Sequence, residues 1–277
     1  LHSFPTRRSY DLAQMGEVFG KYETGEYNKT GLVRDINTQV KRILKVATDY
    51  GFDDNLWHNY LTFFLMMSEN PFSMTCEKVG ASDGSVNELV ENDFRIFKEL
   101  FDYDFGPIEK DLGINCFSQI SNYKAIHKKD LMYNKNVSEK VRSLSKKLEA
   151  AKDEKEFFDA VTGFYKDYGV GMFGLNKAFR IDDTPQGSFT FRAINNMDTV
   201  MLDDLVGYEI QKKKLVDNTE AFVQGKKANN VLLFGDSGTG KSTSIKAIVN
   251  QYYKDGLRMI EIYKHQFKYL SEIIAEI

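Results

Sequence analysis

The sequence has few cysteines and no cluster of residues typical of a metal or nucleophilic site. Its two cysteines, Cys76 and Cys116, form no C-x-x-C pair, so they cannot build a zinc site by themselves and do not indicate a disulfide framework. We therefore expect a reducing, cytoplasmic compartment. His58, His127 and His265 are isolated in the sequence, without partners at metal-ligand spacing, and we expect each to be structural.

Long apolar runs and a strong charge excess are also absent. The most apolar run, residues 60–67, is eight residues long and includes Thr62, whereas a membrane span needs about 18 apolar residues or more. No apolar segment of signal-peptide length lies near Leu1. The formal net charge of −3 argues against a broad nucleic-acid footprint but leaves a local basic patch open. With 42% hydrophobic residues, the chain can bury a core.

The first twelve residues differ in character from the rest. The chain begins at Leu1 rather than a methionine. Residues 3–9 and 11–12 resemble the translation of a common sequencing-library adapter, departing from it at Tyr10. We expect residues 1–12 to be an artefact and exclude them from the fold prediction. The alternative is a short basic arm for targeting or anion binding.

Residues 13–185 are expected to form a mainly α-helical N-terminal domain. In five segments, apolar residues recur every three or four positions, as on one face of a helix. These segments lie within residues 32–47, 56–67, 89–101, 141–148 and 157–168. The Asn70-Pro71 and Gly106-Pro107 pairs are predicted to end the second and third helices.

Residues 186–277 show a different pattern, and we place the domain boundary near residue 185. Residues 182–187 are rich in turn formers, and residues 189–194 alternate in polarity like a strand. A helix is predicted from Glu209 to Phe222. Val231–Phe234 is a short apolar run bounded by polar residues, which is typical of a buried parallel strand.

A helix is also predicted over residues 241–253, a strand over residues 257–262 and a further helix over residues 270–277. A strand, a crossover helix and a second strand indicate a right-handed βαβ unit in a parallel sheet. The predicted fold is thus an α/β P-loop NTPase core that follows the helical domain.

The sequence from Gly235 to Ser242 matches the phosphate-loop pattern G-x-x-x-x-G-K-[S/T] at every fixed position. Gly235 and Gly240 permit positive φ and a close approach of backbone to phosphate. Successive N–H groups and the following helix N-terminus attract an anion. Lys241 carries a cation to the β- and γ-phosphates, and Ser242 offers a hydroxyl to Mg²⁺.

We therefore predict that the chain binds ATP with Mg²⁺. Lys241 is also assigned a catalytic role, and Ser242 is the predicted metal ligand. The cofactor-binding residues predicted from the motif are Gly235, Asp236, Ser237, Gly238, Thr239, Gly240, Lys241, Ser242 and Thr243.

Two other motifs resemble functional signatures. Val200–Asp204 resembles a Walker B strand, but in the usual P-loop core that strand follows the phosphate loop. We expect Asp203 and Asp204 to be a solvated lead into a helix; a permuted topology is the alternative. Gly169–Gly174 spells G-x-G-x-x-G, but it follows a predicted helix rather than a strand, so we expect a helix cap with a turn, or a hinge.

Residues 205–209, together with residues 229–242, resemble the start of an AAA-type ATPase module. Through these residues the chain resembles a bacterial ATP-binding family catalogued as domain of unknown function 815. The likeness extends into the N-terminal half, including residues 168–180 and 189–196. The resemblance implies that Val206 and Gly207 contact adenine.

The resemblance also bears on hydrolysis. Family members continue past the helix that contains Ile277 into a strand ending in acidic residues, further strands and a small helical lid. It therefore implies a C-terminally truncated, AAA-like parallel sheet without the Walker B acid, the sensor and the arginine finger. Hydrolysis needs those parts, so we expect hydrolysis from the full-length protein and not from this chain.

We favour an AAA-like ATPase that couples ATP binding and hydrolysis to the remodelling of a macromolecular partner. The helical domain would recognise a protein partner, and the module would work as a homo-oligomer. One alternative is a P-loop kinase or other phosphotransferase acting on a small molecule. Another is a non-hydrolysing, nucleotide-gated interaction protein, and nucleic acid stays open as a partner.

Overall fold

A computed structural model describes residues 7–81, 85–126, 133–195 and 197–277, including their side chains except those of residues 7–12 and 85–89. The chain divides into two compact units, one ending at Leu175 and the other running from Asn176 to Ile277. We call them the helical unit and the second unit. His127 lies outside the described residues. No helix in the described ranges is long and apolar enough to cross a membrane.

The described part of the helical unit is built from α-helices. They are α1 (Arg7–Thr24), α2 (Lys29–Tyr50), α3 (Leu56–Met67), α4 (Pro71–Val79), α5 (Ser85–Phe101), α6 (Gly106–Leu112), α7 (Cys116–Ser121), α8 (Lys135–Ala150), α9 (Glu154–Tyr168) and α10 (Gly171–Leu175). The five helices predicted from periodicity are confirmed as α2, α3, α5, α8 and α9. Pro71 and Pro107 also start new helices, because the first helical turn does not need the N–H that proline lacks.

Helix α3 lies at the centre of the helical unit. It packs against α2, α5, α7, α8 and α10. Ten of its twelve residues are buried, among them Leu61 with no exposed surface. A helix that is apolar on all sides is typical of a core position rather than of the surface. The apolar run at residues 60–67 is therefore accounted for by burial inside this unit.

The G-x-G-x-x-G motif forms a helix cap, as predicted, and a short helix follows in place of the predicted turn. Gly169 ends α9 with a φ of 83°, and α10 begins at Gly171. The Glu77 carboxylate accepts a hydrogen bond from the Val170 N–H at 3.2 Å. The motif follows a helix, so it lacks the strand that a dinucleotide-binding loop requires.

The second unit contains a small mixed sheet and three α-helices in its described residues. Its elements are β1 (Ala178–Asp183), β2 (Phe189–Ala193), α11 (Glu209–Val223), α12 (Lys241–Tyr252), β3 (Met259–Glu261) and α13 (Leu270–Glu276). The strand order is β2-β1-β3, with β2 antiparallel and β3 parallel to β1. The strands predicted near residues 189–194 and 257–262 are thus confirmed as β2 and β3.

The two faces of this sheet differ in polarity. Ile181 and Phe189 pack with Tyr269 and Ile273 in a small core. On β1 and β2, Arg180 lies directly opposite Arg192, a pairing of like charges that by itself is unfavourable. Each guanidinium has its own carboxylate: Arg180 is 2.5 Å from Glu261, and Arg192 is 2.6 Å from Asp182. The hydrogen bond from Arg192 lowers the pKa of Asp182.

The strand predicted at Val231–Phe234 does not form in the structure. This segment pairs with no described strand, and the side chains of Leu232 and Phe234 are 83% and 86% exposed. A strand requires a neighbour that takes up its backbone hydrogen bonds, and β3 pairs with β1 instead. The predicted parallel sheet through Val231–Phe234 is therefore wrong for the described residues, where the sheet is mixed.

The division between the two units falls earlier than the boundary expected near residue 185. Strand β1 pairs with both β2 and β3, so it belongs to the second unit. Its side chains alternate between buried and partly exposed from Phe179 to Asp182. That period-two signal was available in the sequence, although we predicted no strand there.

Candidate nucleotide-binding site

The loop from Gly235 to Gly240 depends on glycine conformations. Gly235, Gly238 and Gly240 have φ values of 142°, 80° and 79°, which residues with a side chain rarely adopt. Gly240 is the N-cap residue of α12, so the loop runs directly into the helix that begins at Lys241. The motif residues of the sequence prediction therefore form one continuous turn into a helix N-terminus.

The Lys241 ammonium lies against this loop. Its Nζ donates hydrogen bonds to the carbonyl oxygens of Gly235 at 2.9 Å and Asp236 at 2.5 Å, and to Thr239 Oγ1 at 3.3 Å. Thr239 Oγ1 in turn donates to the Asp236 carbonyl at 2.8 Å. All three acceptors of the ammonium are neutral. An anionic phosphate oxygen would be a stronger acceptor for the same ammonium.

The N-terminus of α12 has no side-chain cap. Gly240 has no side-chain oxygen to accept from the first N–H groups of the helix, which by geometry lack acceptors within it. Ser242 and Thr243 are exposed in this first turn, whereas the Ser244 hydroxyl donates to the Gly240 carbonyl at 2.9 Å. The unpaired N–H groups and the helix dipole make this end favourable for an anion.

Side-chain hydrogen bonds attach the segment around Asp198 to the far half of α12. Lys246 Nζ is 2.6 Å from the Asp198 carboxylate. Asn250 Nδ2 donates to the carbonyl oxygens of Asp198 and Val200, at 2.7 and 2.9 Å. The chain that approaches the predicted adenine contact is therefore held on the same helix that follows the phosphate loop.

The Walker B reading of Val200–Asp204 finds no support in the structure. Leu202–Asp204 forms a short 3₁₀ helix, with Asp203 and Asp204 exposed. The Asp204 carboxylate accepts a hydrogen bond from the Met201 N–H at 2.8 Å. These acids are a solvated lead toward α11, as the order of the motifs predicted.

The predicted adenine contacts lie in an exposed turn before α11. Val206 is 94% exposed, and Gly207 and Tyr208 both have left-handed backbones, with φ of 84° and 56°. Lys212 Nζ donates to the Leu205 carbonyl at 2.6 Å and so holds the turn on the first turn of α11. The Val206 side chain is thus accessible to a ligand.

Helix α11 also holds the segment that leads into the phosphate loop. The Asn218 side chain makes two hydrogen bonds with the backbone of Asn229, at 2.8 and 2.9 Å. Tyr252 OH on α12 donates to the Glu220 carboxylate on α11 at 2.8 Å. Sequence reasoning missed these contacts, because polar residues on an exposed helix carry no signature of such a role.

Apolar side chains are exposed on both sides of the phosphate loop in the sequence. Those at least 42% exposed between residues 206 and 245 are Val206, Tyr208, Ile210, Phe222, Val231, Leu232, Phe234 and Ile245. Exposed apolar surface that is not scattered singly marks ligand or protein contacts. These side chains flank the loop in the sequence and are accessible to a ligand or a protein partner.

The described residues contain no group of three or more His, Cys, Asp or Glu placed to hold a metal ion. Mg²⁺ is usually held by one or two protein oxygens together with substrate phosphates and waters. The exposed Ser242 hydroxyl is the oxygen that this loop offers, so the donor set fits Mg²⁺ bound with a polyphosphate rather than Mg²⁺ alone.

Two of the histidines that were expected to be structural, His58 and His265, lie in the described residues. His58 Nε2 donates to the Phe101 carbonyl at 2.8 Å, and the His58 ring stacks on the Phe101 ring at 4.3 Å between centroids. His265 lies 3.7 Å from the Asp183 carboxylate on the second unit. His58 is therefore a partly buried, packed residue with structural contacts, as predicted.

A comparison with models of protein families agrees with the family resemblance stated from the sequence. Residues 175–277 match the model of the family described as "Protein of unknown function (DUF815)". The matched residues begin at the boundary of the second unit and include the whole phosphate loop.

The chain is also similar to the replication factor C large subunits of methanogenic archaea. Identity is 34% with the Methanococcus vannielii protein and 32% with the Methanococcus maripaludis protein, each over 74 residues. The aligned part is 27% of this chain and 15% of each relative, so the chain spans a small fraction of their length. No solved structure matches the chain.

Proposed function

We propose that the second unit binds ATP together with Mg²⁺ through residues 235–243. The observation that carries this proposal is the Lys241 ammonium, which lies on the loop carbonyls of Gly235 and Asp236 beside a helix N-terminus without a cap. A cation and unpaired N–H groups at one point favour a polyphosphate.

The residues of the loop divide the binding between them. Lys241 exchanges neutral carbonyl partners for the β- and γ-phosphate oxygens, which also makes it the residue that stabilises charge during phosphoryl transfer. The N–H groups from Asp236 to Thr243 surround the phosphates, and Ser242 supplies a hydroxyl to Mg²⁺. When bound, Mg²⁺ neutralises phosphate charge. Val206 and Gly207 form the adenine side of the site.

We further propose that the protein is an AAA-like ATPase. The similarity to replication factor C large subunits and the family match to residues 175–277 both support this class. In this proposal ATP binding and hydrolysis drive the remodelling of a macromolecular partner, which the helical unit recognises. The module acts as a homo-oligomer in the cytoplasm, and the exposed apolar side chains around the loop supply surface for that assembly.

The proposal is tested by calorimetric titration with Mg·ATP. Lys241→Ala removes the ammonium, and because hydrogen bonds to charged groups contribute about 1.5–3 kcal/mol each, we expect roughly a hundredfold loss of affinity. Lys254→Ala is the matched control, since Lys254 is an exposed lysine just past α12. Equal affinity of wild type and Lys241→Ala would contradict the proposal, provided that Lys254→Ala also binds normally.

A further inference from the structure

The helical unit contains a cleft between α1, α3 and α5. Its volume is about 190 Å³, and its walls include Met15, Phe19, Trp57, Phe97 and Leu100. A cavity of about 150 Å³ lined by apolar side chains is large enough for benzene. Gly16 is exposed, while Asp93 and Ile96 are half-buried, so the cleft has a mouth on the surface.

Asp93 supplies the charge of this cleft. Asp93 also borders a second cavity of about 50 Å³, whose walls include Phe64, Phe72 and Tyr165. Among the described residues, the Asp93 carboxylate takes part in no hydrogen bond or ion pair. A carboxylate at the border of an apolar cleft can pair with a cation placed beside it, and such charge-assisted hydrogen bonds are strong.

The nearby basic residues of α5 are already paired. Arg95 Nη1 is 2.5 Å from the Glu99 carboxylate, and Lys98 is hydrogen-bonded to Asp102. Both pairs follow the i,i+4 spacing of a helix, and neither includes Asp93. The counter-charge for Asp93 is therefore not provided by its neighbours on this helix.

The walls of the cleft favour a cation with an apolar body. Phe19 and Trp57 meet edge to face, with 6.4 Å between ring centroids. Trp57 Nε1 already donates to the Leu100 carbonyl at 2.8 Å, so the indole has no hydrogen bond left to offer. Aromatic rings attract organic cations, whereas an anion or a sugar would find no donor on these walls.

We propose that this cleft binds a small organic ammonium ion. The apolar body of the ligand lies among Phe19, Trp57 and Phe97, and its ammonium group pairs with the Asp93 carboxylate. An arylalkyl amine in its protonated form has the required chemistry and about the required size. This site is separate from the phosphate loop and does not depend on the proposed nucleotide function.

Ligand binding in the cleft can be followed through Trp57, which lies in its wall. Trp57 is the one tryptophan of the 277-residue sequence, so intrinsic tryptophan fluorescence reads this site. The probe is phenethylammonium, and ethylbenzene is the neutral analogue of nearly the same shape. We expect a saturable change of Trp57 fluorescence with phenethylammonium and binding at least tenfold weaker with ethylbenzene.

Two variants and a matched control test the assignment in the intact chain. Asp93→Asn keeps the shape and removes the charge, so phenethylammonium should bind at least tenfold more weakly. Gly16→Leu should weaken the binding of both probes, because Gly16 is part of the cleft wall and a Cβ there meets nothing within 4 Å. Gly20→Leu also lies on α1 in open space, but Gly20 is not part of the cleft wall, so its binding should equal that of wild type.

The outcomes separate the alternatives. The absence of any saturable fluorescence change up to millimolar phenethylammonium would overturn the proposal. Equal affinity for the two probes, or unchanged phenethylammonium affinity in Asp93→Asn, would show a neutral apolar cavity and would also overturn it. Circular dichroism of each variant establishes that it is folded. Equal losses in Gly16→Leu and Gly20→Leu would count against the placement of the ligand.

Discussion

The helical unit and the second unit differ in how much apolar side chain they bury and in how the N-termini of their helices are capped. In the helical unit, α3 is buried on all sides, and five helices begin with an asparagine or aspartate whose side chain accepts a backbone N–H. In the second unit, the core cluster beneath the sheet has four buried residues, and α12 begins at Gly240 without a side-chain cap. Helices of the first unit are thus capped by their own flanking side chains, whereas the N-terminus of α12 is not.

Stability and ligand binding are therefore expected to depend on different parts of the chain. Buried apolar contacts and capped helices stabilise the helical unit without a ligand. At the phosphate loop, the Lys241 ammonium is bonded to neutral acceptors and glycines hold backbone that other residues avoid. Stability changes should therefore concentrate in the first unit, and ligand-dependent changes in the second.

The largest expected contrast is between two leucines. Leu61 has no exposed surface, whereas Leu232 is 83% exposed. Leu61→Ala should lower the free energy of unfolding by about 2–5 kcal/mol, because it leaves a cavity in α3. Leu232→Ala should change it by less than about 0.5 kcal/mol. Urea unfolding followed by circular dichroism measures both; similar values for the two variants would abolish the contrast.

A smaller effect is expected at the caps. Asn28 Oδ1 accepts hydrogen bonds from the N–H groups of Thr30 and Gly31, at 2.9 and 3.2 Å. Asn28→Ala should destabilise the helical unit by about 1 kcal/mol, and Asn28→Asp should keep most of the stability because aspartate caps equally well. Urea unfolding followed through Trp57 fluorescence reports on this unit. An Asn28→Asp loss equal to that of Asn28→Ala would show that the cap is not responsible.

The smallest effect depends on pH. Burial lowers the pKa of His58 below the ordinary 6.5, outweighing the Phe101 carbonyl and Glu149, which raise it. The unfolded chain therefore binds more protons, so the stability from neutral His58 is complete above about pH 6.5 and is lost as pH falls through the lowered folded-state value. Thermal unfolding at pH 7.5 and 5.5 should show a smaller difference for His58→Gln than for wild type. His265→Gln, in the second unit, is the control; an equal change in both variants would contradict this account.

The sequence predicted the helical unit better than the sheet, for physical reasons. Helix periodicity is local, so the apolar spacing from Leu32 to Ala47 was enough to predict α2. A strand depends on a partner elsewhere in the chain. Val231–Phe234 has strand composition and no paired neighbour, while β1, with Arg180 and Asp182 among its residues, was not predicted at all.

The residues of the candidate site also differ in how far the sequence alone could predict them. The fixed spacing of the loop motif was enough to predict Gly235, Lys241 and Ser242 as candidate site residues, because each has a role that few other residue types can fill. The Asn218 contact with Asn229 left no trace in the sequence. An exposed polar residue on a helix acquires that role only through the position of a distant segment.

Hydrogen exchange with and without saturating Mg·ATP tests the central claim most directly. Phosphate oxygens that accept hydrogen bonds from the first N–H groups of α12 should slow exchange in residues 235–243. Exchange in residues 29–67 of the helical unit should stay unchanged, and Lys241→Ala should remove the protection. Equal exchange of residues 235–243 with and without the nucleotide would contradict the claim that this loop is a nucleotide site.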